Sequence, residues 1–286
     1  MTVRRIAVIG AGTMGHGIAY VAAAAGYEVR LTDADDAILR GGLRRIHEAF
    51  DKAIERGKAT AETREAALRM LSTVPTPSDA AKDVDVVIEA VPERLELKQK
   101  IFRELEGLVR DETVLGSNTS SLSITRIANG LARPERVVGL HFFNPVPVMK
   151  LLEIVRGERT SDSVVERSRA LATSLGKTPI VVRDSPGFAT SRLGVVLGLE
   201  AIRMLEQGVA SAEDIDRAME LGYNHPMGPL RLTDVVGLDV RLAIAEHLHA
   251  TLRDATYAPP ALLRQMVSEG KLGKKSGQGF YSWENR

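Results

Sequence analysis

The stretch RRIAVIGAGTMGHGIAYVAAAAG, Arg4 to Gly26, decides the fold. Arg4 to Ile9 is a short run rich in β-branched residues, and Gly10 breaks it. Helical periodicity begins near Thr13 and continues to Gly26. Strand, glycine turn and helix are the context in which G-x-G-x-x-G marks a dinucleotide site. Gly10 permits the tight turn, and Gly12 has no side chain to keep a pyrophosphate from the backbone. Gly15 allows close packing of helix on strand. Thr13 and Met14 lie where the helix N-terminus offers free N–H groups and a positive dipole end to phosphate.

YEVRLTD reads as the second strand and finishes on Asp33, 18 positions after Gly15. A carboxylate there accepts hydrogen bonds from an adenosine ribose and repels a 2′-phosphate, which favours NAD over NADP. FAD uses the same fingerprint, and the N-terminal motif alone does not separate the two.

The remaining pattern extends this beginning. Helices are expected from Ala37 to about Arg56 and from Ala61 to Leu71, an inserted hairpin turning at Gly57. Val84–Val91 is a buried strand by its run of β-branched residues. An amphipathic helix follows to about Arg110, then a strand ending at Asn118 and a short helix from Ser123 to Asn129. RVVGLHFF, LLEIV and PIVV are further strands, with a helix over Val164–Leu175. Strands alternating with helices predict a largely parallel sheet covered on both faces.

The pattern changes near Ser185. Helices are expected over Thr190–Gln207, Ala212–Leu221, Asp239–Arg253 and Pro260–Glu269, with a strand at most over Gly279–Ser282. Ser211 and Asp214 have the spacing of a capping box, and Gly208 and Gly222 of helix stops. The expectation is an α/β Rossmann-type domain over residues 1–184 with an inserted helical hairpin, then an all-α domain over 185–286. Apolar helix positions such as Leu193, Val196 and Leu197 suggest burial against a second subunit.

Composition narrows the function. The 286 residues carry 38 Lys and Arg against 37 Asp and Glu, a net charge of +1, and only 4% aromatics. No basic, aromatic surface for nucleic acid is implied. There is no cysteine, which excludes disulfides, thiolate metal sites and a cysteine nucleophile. No apolar run approaches the roughly 18 residues of a membrane span. The first strand begins almost at once, so no leader is expected and a cytoplasmic protein is.

Oxidising a secondary alcohol requires a hydride acceptor and a base for the hydroxyl proton. Histidine suits the base because its ordinary pKa is near neutral. Of six histidines, His16 falls in the dinucleotide helix and His47 on the long surface helix. His225 lies in a turn, and His247 and His249 point different ways on one helix, so no metal pair is expected. His141 ends the strand VVGLH, and doubly wound sheets bind ligands at strand C-terminal ends. Glu153, in the apolar run LLEIV, is costly to bury unless paired. Pairing with His141 would give the base-and-orienter arrangement of a catalytic dyad; a plain buried His–Glu hydrogen bond fits the spacing equally well. In Asn118-Thr-Ser-Ser121, Ser121 is expected to cap the next helix and Ser120 to meet a substrate oxygen.

VIGAGTMGHGIA, VIEAVPERLELK, SNTSSLSIT, GLHFFNPVPVMKLLEIV, DSPGF, HPMGP and GKKSGQGFY together resemble the L-3-hydroxyacyl-CoA dehydrogenase family, of the bacterial 3-hydroxybutyryl-CoA dehydrogenase type. The resemblance spans essentially the whole chain. It implies NAD-dependent interconversion of (S)-3-hydroxyacyl-CoA and 3-ketoacyl-CoA in fatty acid metabolism, β-oxidation included. It further implies a homodimer formed by the helical domain. His141 would be the general base with Glu153 its partner, Ser120 and Asn144 would lie at the substrate, and Glu93, Lys98 and Asn118 would serve the NAD site. Arg56 and Lys58 match basic positions that meet CoA phosphates, or are a solvated helix end. Ser191 stands where the motif DSPGFxxNR carries asparagine, which puts substrate preference in question. Two rivals are a dehydrogenase of the same fold acting on a polyol acid and a catalytically silent NAD-binding protein.

Overall fold

The structure, a computed structural model, describes residues 3–283. The chain divides after Ser185 into two compact units. The first opens with β1 (Arg5–Ile9), α1 (Gly15–Ala24), β2 (Glu28–Thr32), α2 (Asp36–Glu55), α3 (Ala61–Arg69), β3 (Leu71–Thr73) and α4 (Pro77–Ala81). It continues with β4 (Val86–Glu89), α5 (Leu95–Glu106), β5 (Val114–Ser117), α6 (Ile124–Ile127), β6 (Val137–Phe142), β7 (Leu151–Arg156), α7 (Asp162–Ser174) and β8 (Thr178–Arg183).

The eight strands form one sheet in the order β3-β2-β1-β4-β5-β6-β7-β8. Every neighbouring pair is parallel except β6 and β7. The order reverses between β1 and β4, the crevice where such sheets bind dinucleotides. β4, β5 and β6 are buried at every residue, as strands with both faces covered must be. The apolar side chains on one face of these strands, with those of α1, α2 and α7, make one continuous core. The antiparallel step has a simple cause. Eight residues, 143–150, join β6 to β7, too few for a parallel crossover, which needs a dozen or more.

Helix α2 shows how local signals place an element. Asp35 caps it by accepting the N–H groups of Ala37 and Ile38. Its buried residues Gly42, Ile46 and Phe50 recur every four positions. Gly42 is at closest approach: a Cβ there would stand 2.6 Å from the Ala11 carbonyl oxygen. Gly57 turns the hairpin with φ +65°. The hairpin's second helix stops at Arg69, and Leu71–Thr73 pairs with β2 as an edge strand. One apolar residue in three marks this strand poorly, whereas α4 has a start signal that the sequence reading passed over: Thr76 accepts the Asp79 N–H and Pro77 follows the cap.

The second unit contains α8 (Thr190–Glu206), α9 (Ala212–Gly222), α10 (Pro229–Val236), α11 (Leu238–Leu252) and α12 (Ala261–Ser268). Leu199, Ile202, Ile215, Leu230, Leu248 and Leu263 lie at its core. Ser211 caps α9 by accepting the Asp214 N–H, while the Asp214 carboxylate takes the Ser211 hydroxyl. Gly222 is the last residue of α9, not its stop. α10 was not expected; Pro229 opens it at the first helical position, where a missing N–H costs nothing.

Two buried aspartates hold this unit together. Asp216 accepts the N–H groups of Leu230 and Arg231 and the Tyr281 hydroxyl. Burial, with Asp216 adding to it, pushes the Tyr281 phenol up. Asp234, 1% exposed, accepts the N–H groups of Phe280 and Tyr281 and the Trp283 indole. Those N–H groups are therefore spent on a carboxylate. The strand expected over Gly279–Ser282 is reduced to isolated bridges of Gln278 with Gly273 and Ser282. Gly279 has to be glycine, since a Cβ would meet the Asp234 carboxylate at 2.1 Å.

Replacing Asp234 by alanine strands three donors at once. Asp234→Ala should cost about 2–4 kcal/mol of stability, read as a lower urea midpoint. An unchanged midpoint would show that the tail is held by other means.

Candidate active site

A cleft of about 820 Å³ opens at the C-terminal ends of β1, β2, β4, β5 and β6, within the size range of ligand sites, roughly 300–1,000 Å³. It is lined by Gly10, Gly12, Thr13, Met14 and Asp33 on one side and by Glu93, Asn118, Ser120, His141 and Asn144 on the other.

The glycine turn is built as its spacing suggests. Gly10 has φ +101°, and a Cβ there would meet the Ala90 carbonyl at 2.6 Å. A Cβ on Gly15 would overlap the Gly10 carbonyl oxygen, 1.7 Å away. A Cβ on Gly12 would meet nothing within 4 Å. Of these three glycines, Gly12 is the one whose missing side chain leaves ligand space instead of backbone contact. Met14, just before α1, offers no side-chain cap, which leaves the helix start open to an anion. Asp33 Oδ2 accepts the Ala11 N–H at 2.7 Å, which fixes the carboxylate at the cleft edge. His16 Nδ1 lies 2.7 Å from the Gly12 carbonyl, and burial lowers the His16 pKa. These residues fit a dinucleotide with an unphosphorylated adenosine ribose.

The opposite wall carries a buried His–Glu pair. β6 and β7 run antiparallel with His141 directly opposite Glu153. The side chains meet at 2.7 Å, Nδ1 to Oε2. Glu153 is fully buried and His141 nearly so. A carboxylate at Nδ1 holds the proton on that nitrogen and orients Nε2 for exchange. The ring leans on Phe143, with centroids 4.4 Å apart. Asn118 ties the neighbouring strand ends together by accepting the Phe142 N–H at 2.9 Å.

Glu93 organises the loop after β5. Its Oε1 accepts the Thr119 hydroxyl, the N–H groups of Ser120 and Ser121, and the Ser121 hydroxyl. Burial opposes its ionisation, but Lys98, Thr119 and Ser120 outweigh that and hold its carboxyl below the usual range. Lys98 is 1% exposed, with Nζ 2.6 Å from Glu89 and 3.3 Å from Glu93. It meets the cleft through Glu93 and not directly.

One assignment changes and one residue is added. Ser123, not Ser121, caps the helix after this loop, by accepting the Arg126 N–H. The helix begins later than expected, and Ser121 is drawn to Glu93 instead. Glu89, fully buried, was missed. It accepts the Lys98 ammonium, the Ser117 hydroxyl and the Val91 N–H. A carboxylate in the apolar strand VVIE carries the same cue that singled out Glu153. Arg56 and Lys58 are exposed at the hairpin turn and do not line the cleft. Ser191 lies in the first turn of α8, in the second unit. Among the described residues no group of three or more His, Asp or Glu could hold a metal, and no helix is long and apolar enough to cross a membrane.

Family models match both units. Residues 5–185 match the NAD-binding domain of 3-hydroxyacyl-CoA dehydrogenase, and residues 187–283 its C-terminal domain. The probable 3-hydroxybutyryl-CoA dehydrogenase of Bacillus subtilis is 45% identical over 286 residues, all of this chain and 99% of the relative. The human mitochondrial hydroxyacyl-coenzyme A dehydrogenase is 43% identical over 99% of this chain and 92% of its own. A crystal structure of (S)-3-hydroxybutyryl-CoA dehydrogenase from Ralstonia eutropha superposes with a TM-score of 0.95 at 42% identity, covering 99% of this chain and 100% of the other. With residues 5–185 and 187–283 matched by the two domain models and a full-length relative 45% identical, the chain belongs to the 3-hydroxyacyl-CoA dehydrogenase family.

Proposed function

We infer that the protein is an NAD-dependent dehydrogenase that interconverts (S)-3-hydroxyacyl-CoA and 3-ketoacyl-CoA, with 3-hydroxybutyryl-CoA and acetoacetyl-CoA as its substrate pair. The observation that carries this reading is one cleft holding both an open glycine turn and a buried His–Glu pair. Full-length relatives named for this substrate favour it over a polyol acid or a silent binding protein.

Gly12, Thr13, Met14 and the α1 N-terminus would receive the pyrophosphate, and Asp33 the adenosine ribose. Glu93, through its place at the cleft, and Asn118 would complete that site. Bound there, NAD⁺ would supply the acceptor for the hydride of the carbinol carbon. His141 removes the hydroxyl proton at Nε2, the nitrogen that Glu153 does not hold. Glu153 then stabilises the imidazolium, which would otherwise be a buried unpaired charge. Ser120 and Asn144 donate to the oxygen as it becomes a carbonyl. In the reverse direction the imidazolium returns the proton. Arg56 and Lys58 are proposed contacts of the CoA phosphates. Ser191, shorter than the family's asparagine, is proposed to tune acyl preference.

The assay is NADH oxidation with acetoacetyl-CoA. Wild type should turn over and should prefer NADH to NADPH. His141→Ala should lower kcat by roughly 10²–10⁴ with NADH affinity near normal. Near-normal turnover in the variant would remove His141 from the chemistry, and an inactive wild type would remove the substrate assignment.

We also propose a cytoplasmic homodimer formed by the helical unit. Leu193 and Leu221 are 66% and 84% exposed, and Leu197, Val235 and Val236 add to the apolar surface. Large apolar side chains left this exposed are candidates for burial against a partner. Light scattering at micromolar concentration should give about twice the 31.0 kDa chain mass. A monomer there would contradict the assignment.

A further inference from the structure

The loop 143–150 joins His141 on β6 to Glu153 on β7, and it carries Asn144 into the cleft. Its middle is held from within the protein by a lysine that the chemistry above does not use. Lys177 stands between α7 and β8, with its own N–H on the Ala172 carbonyl. Its side chain is buried, 8% exposed. Nζ donates to the Val146 carbonyl at 2.5 Å and to the Met149 carbonyl at 2.8 Å. Among the described residues no carboxylate forms an ion pair with it. The next residue ties the loop's end, since the Thr178 N–H donates to the Lys150 carbonyl at 2.7 Å.

A buried ammonium without a counter-charge is a poor way to gain stability. What it does well is fix direction, because two carbonyls must turn inward to meet it. The rest of the loop agrees with that constraint. The N–H groups of Val148 and Met149 both donate to the Pro145 carbonyl, closing a tight turn. The Val146 side chain, 2% exposed, is seated against Gly17 of α1, where a Cβ would stand 2.9 Å from its own. Gly17 thus has a role apart from the phosphate turn: it lets the substrate-side loop rest on the helix that faces the dinucleotide.

We propose that Lys177 is a positioning residue, which locks the loop 143–150 through the Val146 and Met149 carbonyls and so sets Asn144 and the His141 end of β6 against α1. The proposal rests on the roles assigned above to His141 and Asn144. It acts through geometry alone. A displacement of about 1 Å at reacting groups can cost on the order of 100-fold in rate, which is the scale a loosened loop would reach.

The test compares wild type with Lys177→Met and Lys177→Gln. Methionine keeps the length and apolar stem but donates nothing; glutamine keeps one donor group. Hydrogen exchange at the Val148 and Met149 amides reads the loop, kcat with acetoacetyl-CoA reads catalysis, and NADH fluorescence reads cofactor binding. Lys177→Met should exchange faster at both amides and lose roughly 10- to 100-fold in kcat, with NADH affinity within about twofold. Lys177→Gln should fall between it and wild type in both readouts. A merely structural role would lower the melting temperature and leave kcat, measured well below it, unchanged; that result overturns the proposal, as does unchanged exchange. Should Lys177→Met fail to fold, wild type still decides. Its Val148 and Met149 amides must exchange as slowly as those of β6 and β7, and rapid exchange there overturns the clamp. Exchange is read without turnover, so an inactive wild type counts against the assigned reaction and leaves the clamp to be judged by exchange.

Discussion

The first unit depends on one pairing, that of His141 with Glu153 across β6 and β7. A buried carboxylate and a buried imidazole each carry a large desolvation cost, and each is tolerable because the other is there. Their meeting requires antiparallel strands in one register. Slipping either strand by one residue would send its side chain to the other face and leave both unpaired. The short loop 143–150 makes that register, and β8, parallel to β7, carries the reversed direction on to the sheet edge. The geometry of the pair and the strand topology are therefore one constraint.

A second buried network shapes the facing loop. Glu89 and Lys98 lie together behind the cleft, and Lys98 in turn holds Glu93 ionised. With its charge secured, Glu93 gathers donors from Thr119, Ser120 and Ser121 onto one oxygen. Ser120 reaches the cleft from a loop anchored at its own backbone. The charges are paired inside the protein, and little of that pairing is visible from the ligand side.

Much of this was legible in the residues. β-branched runs, the glycine spacing and the carboxylate in LLEIV pointed to strands, turn and dyad, because each reflects a strong local cost or preference. Whether His141 and Glu153 form a working dyad or a plain hydrogen bond was not legible, since spacing carries no distance. The family resemblance favours the dyad. Other features depended on tertiary contacts with no local signature. β3 owes its existence to β2, and α10 is started by a proline whose neighbours satisfy Asp216. The tail is fixed by Asp234, which takes the N–H groups that a strand would need. Lys98 was placed at the cofactor by resemblance, yet it lies buried between two carboxylates. Lys177 gave no cue at all, because its partners are backbone carbonyls and backbone leaves no trace in a sequence.

The central claim is that Glu153 works through His141 and does more than fill space beside it. Glu153→Gln keeps the size and an acceptor for Nδ1–H but removes the negative charge that the imidazolium needs. The account predicts that kcat with acetoacetyl-CoA falls at least about tenfold, while the melting temperature and NADH affinity stay close to wild type. A variant turning over within about twofold of wild type would contradict it.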